Sequence, residues 1–392
     1  MKVVQINATA NVGSTGKIAY SIKTLLDKKG IENYIFYSLG DSEGEKLLKF
    51  GNKAYIKLQA LKSRVFGNFG FNSKSITKKM LKKLDEISPD IVHLHNIHSH
   101  NVNLKLLFKF LNERKVKVVW TFHDCWAFTG YCPHYDYIKC DKWQSDCKTC
   151  ELRKSFSFFS DNSEKLFKLK KELILPLDLT VVTPSVWLKN QVEKSFLKDK
   201  KTVVINNGID LSVFKPTPSD FKKKCGIEDK FLILGVSYIW DDKKGLCDFI
   251  KLSESLDDRF KIVLVGVDKK TAKSLPKNIL ALKKTNSKNE LAKVYSAADV
   301  FVNPTKEDTF PTVNIEALSC GTPVITYKTG GSTEIVDDTC GIAVDKGNVS
   351  GIKDAILSLV SNPKDISDCV KRAENFDENE KFLKYVDLYQ SL

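Results

Sequence analysis

The sequence has no apolar run approaching the ~18 residues that a membrane-spanning helix needs. Its first residues, MKVVQINATA, read as a strand and lack the apolar core and small-residue cleavage site of a secretory signal. Internal repeats and low-complexity segments are missing too. So are the zinc-finger, RNA-recognition and helix-turn-helix patterns that accompany charge in nucleic-acid binders. These absences lead us to expect a cytoplasmic protein with no nucleic-acid partner, in a compartment where thiols stay reduced.

The 392 residues exceed what one core holds comfortably and suggest two or three domains. Lys and Arg number 62 against 48 Asp and Glu, a formal net charge of +14. Lysine supplies nearly all of it, in segments such as ITKKMLKKLDE (76–86) and EKLFKLKKEL (164–173). Apolar residues recur at helical spacing between these lysines, so solvated helix faces account for them. Attraction to phosphates or to an anionic membrane surface accounts for them equally well.

Apolar, β-branched runs recur along the chain, each followed by a segment of helical period. They are KVVQIN (2–7), DIVHLH (90–95), VKVVWTF (116–122), LTVVTPS (179–185), TVVIN (202–206), KFLILGVS (230–237), FKIVLVG (260–266), DVFVNP (299–304) and PVITY (323–327). Runs apolar at nearly every position suit parallel strands covered by helices on both faces. Nine of them are too many for one comfortable sheet, so the pattern predicts an α/β protein with two Rossmann-like domains. The segment NNGIDLSVFKPTPSDFKKKCG (206–226), with its Gly turn and two prolines, is the best linker candidate and places the division near residue 214. In open α/β sheets ligands bind beyond the carboxyl ends of the strands. Those ends here carry GSTGK (13–17), HNIHSH (95–100), HDCW (123–126), WDDKKG (240–245), TKEDTFP (305–311) and KTGGSTE (328–334), which suits a ligand held in a cleft between the domains.

GSTGK fails as a Walker A loop. Only two residues separate Gly13 from Gly16, and Ile18 stands where Ser or Thr should meet magnesium. A Gly-rich turn opening an amphipathic helix remains, whose free N–H groups suit an anion or a sugar hydroxyl. Farther on, Pro311 suits the first turn of a helix and Gly321 the position just past its end. Asp308 then belongs to the preceding loop, and Glu316 projects from the second turn.

The stretch EDTFPTVNIEALSCGTPVITYKTGGSTEIV resembles the C-terminal signature of retaining glycosyltransferases of the GT-B fold, family 4. TFHD (121–124), VVTPS (181–185) and NNGID (206–210) resemble the N-domain and linker marks of the same family. The resemblance implies an acceptor-binding N-terminal domain (1–213), a nucleotide-sugar-binding C-terminal domain (214–370), and a final helix (371–392) crossing back to the first. It implies that Glu316 holds the ribose, that Asp308, with Glu307, meets the donor sugar, and that Lys244 neutralises the diphosphate, the leaving group whose charge a fixed cation stabilises. His123 would lie near the donor sugar and Gly16 in a loop facing the diphosphate. Lys243, Phe310, Pro311, Thr312, Gly330 and Gly331 complete the donor side, while His95, Asn96, Asp124 and Trp126 fall on the acceptor side.

Two positions depart from the family pattern. The segment GVSYIWDDKKG lacks an expected Arg, which Lys243 or a residue of the N-terminal domain can replace, and the first acid of the pair is Asp rather than Glu. No Asp-x-Asp occurs in the chain, in keeping with a donor site that needs no catalytic metal. The resemblance further implies a UDP- or GDP-sugar donor and a lipid-linked or oligosaccharide acceptor for capsule, exopolysaccharide or lipopolysaccharide, while the basic surface suits peripheral contact with the anionic inner membrane. A non-catalytic sugar-nucleotide or membrane-glycan binding protein is the alternative.

All six histidines lie between His93 and His134, and five of the ten cysteines between Cys125 and Cys150. His93, His95 and His98 suit zinc or the lining of the cleft. Cys132, Cys140, Cys147 and Cys150, in an insert at about 125–150, suit a structural zinc, reduced thiols packed in a loop, or a disulfide or redox role. Tyr131, Tyr135, Tyr137 and Trp143 in the same insert offer faces on which sugar rings stack.

Overall fold

The nine apolar runs all form strands, and four further strands join them. In the computed structural model, which describes residues 1–392, they make two separate parallel sheets. The first holds β1 (Lys2–Ile6), β2 (Glu32–Tyr37), β3 (Leu47–Lys49), β4 (Ile91–Leu94), β5 (Lys117–Thr121), β6 (Leu179–Thr183) and β7 (Lys201–Val204), in the order β3-β2-β1-β4-β5-β6-β7. The second holds β8 (Phe231–Val236), β9 (Phe260–Val265), β10 (Ile279–Leu282), β11 (Val300–Asn303), β12 (Val324–Tyr327) and β13 (Gly341–Val344), in the order β10-β9-β8-β11-β12-β13. In each sheet the order reverses beside its first strand, between β1 and β4 and between β8 and β11. That is where open α/β sheets leave a crevice at the strands' carboxyl ends.

Alternating residues of the first sheet serve two cores. Val4, Val92, Val118 and Val181 face one, with Trp120, Trp126 and Phe128. Val3, Ile91, Val119 and Val182 face the other, with Ile18, Ile22 and Leu26 of helix α1 (Gly13–Lys28). The chain's last helix, Glu378–Gln390, lays Phe382, Tyr385, Val386 and Tyr389 on that second face. Each such fully buried side chain is worth roughly 1.5–3 kcal/mol, enough to fix the helix there. The second sheet is likewise covered on both faces by its own two cores.

The compact units are residues 1–206 with 381–392, and residues 207–380. This differs from a division at 213/214 with a separate segment from 371. Residues 207–213 are no loose linker. Ile209 and Phe214 are buried in the second unit's core, and Ile209 exchanges backbone hydrogen bonds of 3.0 Å with Phe376 and Glu378. Residues 371–380 therefore stay with the second unit, and only the last twelve join the first. No helix is long and apolar enough to cross a membrane.

Candidate functional site

In the second unit, the loops following β8, β11 and β12 are stitched together at the carboxyl end of the sheet. Asp241 accepts a hydrogen bond from the backbone N–H of Lys244 (3.0 Å), closing a short turn that ends at Gly245. From this turn the Lys244 ammonium reaches Asp308 Oδ2 at 2.9 Å and also donates to the Glu307 carbonyl (3.3 Å). Lys243 Nζ lies 2.8 Å from Glu307 Oε2, and the Lys306 N–H donates to the Lys243 carbonyl (2.7 Å). Lys306, which no sequence motif singled out, is held between Asp242 (2.9 Å) and Asp248 (3.4 Å), and Asp248 also accepts from Tyr327 Oη.

Asp308 Oδ1 accepts the Phe310 N–H (3.2 Å), fixing the turn into the helix Thr312–Ser319. Pro311 stands just before that helix rather than inside its first turn, with φ −74° and ψ 102°, so the helix opens at Thr312. The Phe310 side chain is buried against Phe376 (ring centroids 5.8 Å apart) and serves the core. Glu316, on the second turn, accepts a hydrogen bond from Tyr295 Oη at 3.1 Å. Tyr295 is fully buried, and burial together with the Glu316 carboxylate pushes its phenol well above the usual range, so it stays a donor. The loop after β12 closes the group. Gly331 N–H donates to the Thr309 carbonyl (3.1 Å), and Gly330 passes so near Asp308 that an added Cβ would sit 1.7 Å from its carbonyl oxygen.

In the first unit the corresponding loops follow β1, β4 and β5. His95 and His123 stack with ring centroids 5.4 Å apart, and His95 Nδ1 lies 3.1 Å from His123 Nε2. His95 Nε2 meets Gln5 Oε1 at 3.0 Å. His93 instead meets Tyr389 and Thr121, at 2.6 and 2.8 Å. Burial pushes His93 and His95 well below the ordinary imidazole range and His123 down to about 4, so all three are neutral at pH 7. The Asn96 backbone N–H donates to Asn7 Oδ1 (3.1 Å). Burial works to raise the Asp124 carboxyl, yet His98, 2.8 Å away, and the Trp126 N–H hold it at about 2.

Several expectations for this unit need correction. Gly16 lies within the first turn of α1, not in the loop before it, because its missing side chain lets the helix approach Thr9; a Cβ there would sit 2.5 Å from Thr9 Oγ1. Trp126 is 1 % exposed and packs edge-on against Phe69, with the Lys170 ammonium 3.7 Å from its ring, so it offers no face to an acceptor. Tyr131, Tyr135 and Trp143 are buried as well, and only Tyr137 of the insert's aromatics is exposed. No group of three or more His, Cys, Asp or Glu side chains is placed to hold a metal ion. Cys132, Cys140, Cys147 and Cys150 are free thiols at the edge of the aromatic core, and burial pushes Cys132 to about 12 and Cys147 to about 11. His93, His95 and His98 each serve a different partner, as above, instead of converging.

Reading the sequence also missed Gln5, Tyr295 and Lys170. Gln5 left a signal, being the one uncharged polar residue in KVVQI. Tyr295 looked like any core aromatic of its helix. Lys170 sat undistinguished among four other lysines between 154 and 171, yet its fully buried ammonium donates to the carbonyls of Trp126 and Thr129 at 2.7 and 2.9 Å.

Two parallel-sheet units, each with its loops gathered at the strands' carboxyl ends, define the GT-B fold. The solved structures agree: sucrose-phosphate synthase from Thermosynechococcus elongatus superposes with a TM-score of 0.72 at 16 % identity, covering 100 % of this chain and 98 % of that one. Anabaena Alr3699/HepE in complex with UDP-glucose superposes with a TM-score of 0.66 at 16 % identity, covering all of both chains. Residues 16–213 match the model of Glycosyltransferase Family 4, and residues 219–379 that of Glycosyl transferases group 1. The chain belongs to Glycosyltransferase Family 4 and is a transferase. The putative colanic acid biosynthesis glycosyl transferase WcaC of Escherichia coli (strain K12) is 24 % identical over 372 residues, 89 % of this chain and 88 % of its own.

Proposed function

We propose that the protein transfers a sugar, with retention of anomeric configuration, from a uridine diphosphate sugar to a lipid-linked glycan during synthesis of a surface polysaccharide. The observation that carries this reading is the joint placement of Lys244, Asp308 and Glu316 by three neighbouring elements of the second unit. In this reading Glu316, steadied by Tyr295, takes the ribose hydroxyls, and Asp308 takes the donor sugar. Lys244 meets the diphosphate, with Lys243 supplying further charge where the family has Arg. No metal ion is required of such a site, since the fixed ammonium stabilises the charge that develops on the leaving group. The acceptor oxygen bonds to the anomeric carbon on the face from which the phosphate departs, and the departing phosphate oxygen takes the acceptor's proton. The uridine choice is supported by the likeness to HepE, solved with UDP-glucose, and the polysaccharide by the likeness to WcaC.

A thermal-shift panel of UDP-, GDP-, ADP- and CMP-sugars tests the donor site. A ligand at 100 times its Kd adds about 2.7 kcal/mol, a rise of roughly 5–10 °C for a unit of this size. UDP-sugars should give that rise and Glu316→Ala should remove it. No shift with any nucleotide would overturn the reading.

The lipid-linked acceptor is supported by the exposed side of α2 (Lys53–Phe66). This helix buries Ile56, Gln59 and Ser63 and turns Ala54, Leu58, Leu61 and Val65, spaced four, three and four apart, the other way. Leu58, Leu61 and Phe66 are 49, 54 and 62 % exposed, and Phe159, beyond the far end of the helix, is 76 % exposed. The helix has no acidic residue and carries Lys53, Lys57, Lys62 and Arg64. An apolar ridge between cations suits the headgroup region of an anionic bilayer, where each cation contributes about 1 kcal/mol. The protein is expected to co-sediment with phosphatidylglycerol vesicles and not with phosphatidylcholine alone. Leu58→Ser with Leu61→Ser should abolish the fraction that survives 0.5 M salt. Failure to bind the anionic vesicles at low salt would remove the membrane from the proposal.

A further inference from the structure

We propose that Gln5 and His95 are positioning residues that lock His123 in a single tautomer, with the proton on Nε2 and the lone pair on Nδ1. The assignment starts from a group whose polarity is fixed. The backbone carbonyl of Ala19, on α1, can only accept, so the Gln5 amide must turn its NH2 toward it, at 3.0 Å. Gln5 Oε1 therefore faces His95 Nε2, and an amide oxygen can only accept, so that nitrogen carries hydrogen. A neutral imidazole has one N–H, which leaves His95 Nδ1 as an acceptor. The hydrogen between His95 Nδ1 and His123 Nε2 then belongs to His123.

The scaffold leaves little freedom for the opposite polarity. Gln5 lies on β1, His95 just past β4 and His123 just past β5, three strands paired side by side. Gln5 and His95 are no more than 1 % exposed, so water is not at hand to replace either partner. The His93 ring packs against His95, with centroids 4.0 Å apart and the planes tilted by 39°, and holds it in place. Burial keeps both rings neutral at working pH, so the one-proton count holds. Whatever polar partner His123 takes at its other ring nitrogen must therefore be a donor. A sugar hydroxyl qualifies and a carboxylate does not. That last consequence rests on the proposal that His123 meets the donor sugar; the tautomer itself does not.

The test uses the full chain labelled with 13C and 15N in histidine, at pH 7.5 without ligand. A long-range 1H–15N correlation distinguishes a protonated ring nitrogen from a lone-pair nitrogen, and His123→Gln identifies the signals. The expected result is one tautomer for both His95 and His123, with hydrogen on Nε2. His95→Ala should replace the single His123 pattern by a mixture, and His95→Asn, whose amide oxygen can still accept, should restore it. A proton on His123 Nδ1 in the unsubstituted protein would overturn the proposal whether or not the variants fold, as would an unchanged His123 pattern in folded His95→Ala. Loss of the UDP-sugar thermal shift in Glu316→Ala reports on the donor site alone, so the two readings fail separately.

Discussion

Lys244→Ala is expected to lower the rate of sugar transfer by about 10²–10³-fold, the usual cost of removing one fixed group that stabilises developing charge. Lys244 is held in advance of any substrate by Asp308, the Glu307 carbonyl and the turn closed by Asp241. It therefore needs no reorganisation as the bond to phosphate breaks. Because that charge grows toward the transition state, the loss should fall mainly on kcat, with a smaller rise in KM. Lys244→Arg keeps the charge but presents a planar fork in place of a compact ammonium, and should recover only part of the rate. Steady-state release of nucleoside diphosphate reads both parameters. A change below about fivefold in Lys244→Ala would place the diphosphate elsewhere, with Lys243 the next cation to examine.

Gly330→Ala should be the most damaging single methyl addition near this site. Gly330 has φ +53°, a region that costs other residues about 1–3 kcal/mol. Its new methyl would also lie 1.7 Å from the Asp308 carbonyl oxygen, so the loop that carries Asp308 must move. Overpacking of that kind adds about 1–3 kcal/mol. Together the two effects should lower the midpoint of the second unit by roughly 10 °C and weaken donor binding through Asp308. Gly347→Ala separates them. Gly347 also has positive φ (+85°), but nothing lies within 4 Å of its added Cβ, so it meets only the first cost. Equal melting temperatures for the two variants would show that the close approach to Asp308 contributes nothing.

The sequence carried every interior strand but β2, because these are buried on two faces and hence apolar at nearly every position. β2 escaped notice because Glu32 and Asn33 interrupt ENYIFY, and the edge strands β3, β10 and β13 because their three or four residues leave little pattern; β7, as short and also at an edge, was read only through the β-branched run TVVIN. In the site, Lys244, Asp308, Glu316 and His123 were marked by motif and spacing. Their supports were not. Tyr295 precedes Glu316 by 21 residues and Gln5 precedes His95 by 90, and such pairings exist only once the strands are laid side by side. The aromatic side chains of the cysteine-rich insert were misread for a related reason. Composition shows that Tyr131, Tyr135 and Trp143 are available for contact, but not whether that contact is with a sugar or with one another.

The second unit is an insertion between the first 206 residues of the first unit and its last twelve. Protein synthesis is vectorial, so the ribosome makes the whole first sheet before the helix that seals one of its faces. At roughly 5–20 residues per second, the 174 residues of the second unit (207–380) impose a wait of about 9–35 s. Throughout that interval the seats of Phe382, Tyr385 and Tyr389 stand open, and His93 and Thr121 lack their tyrosine partners. The inserted unit, contiguous in the chain, can finish folding first. The enclosing one is completed only when residues 381–392 have followed it out of the ribosome.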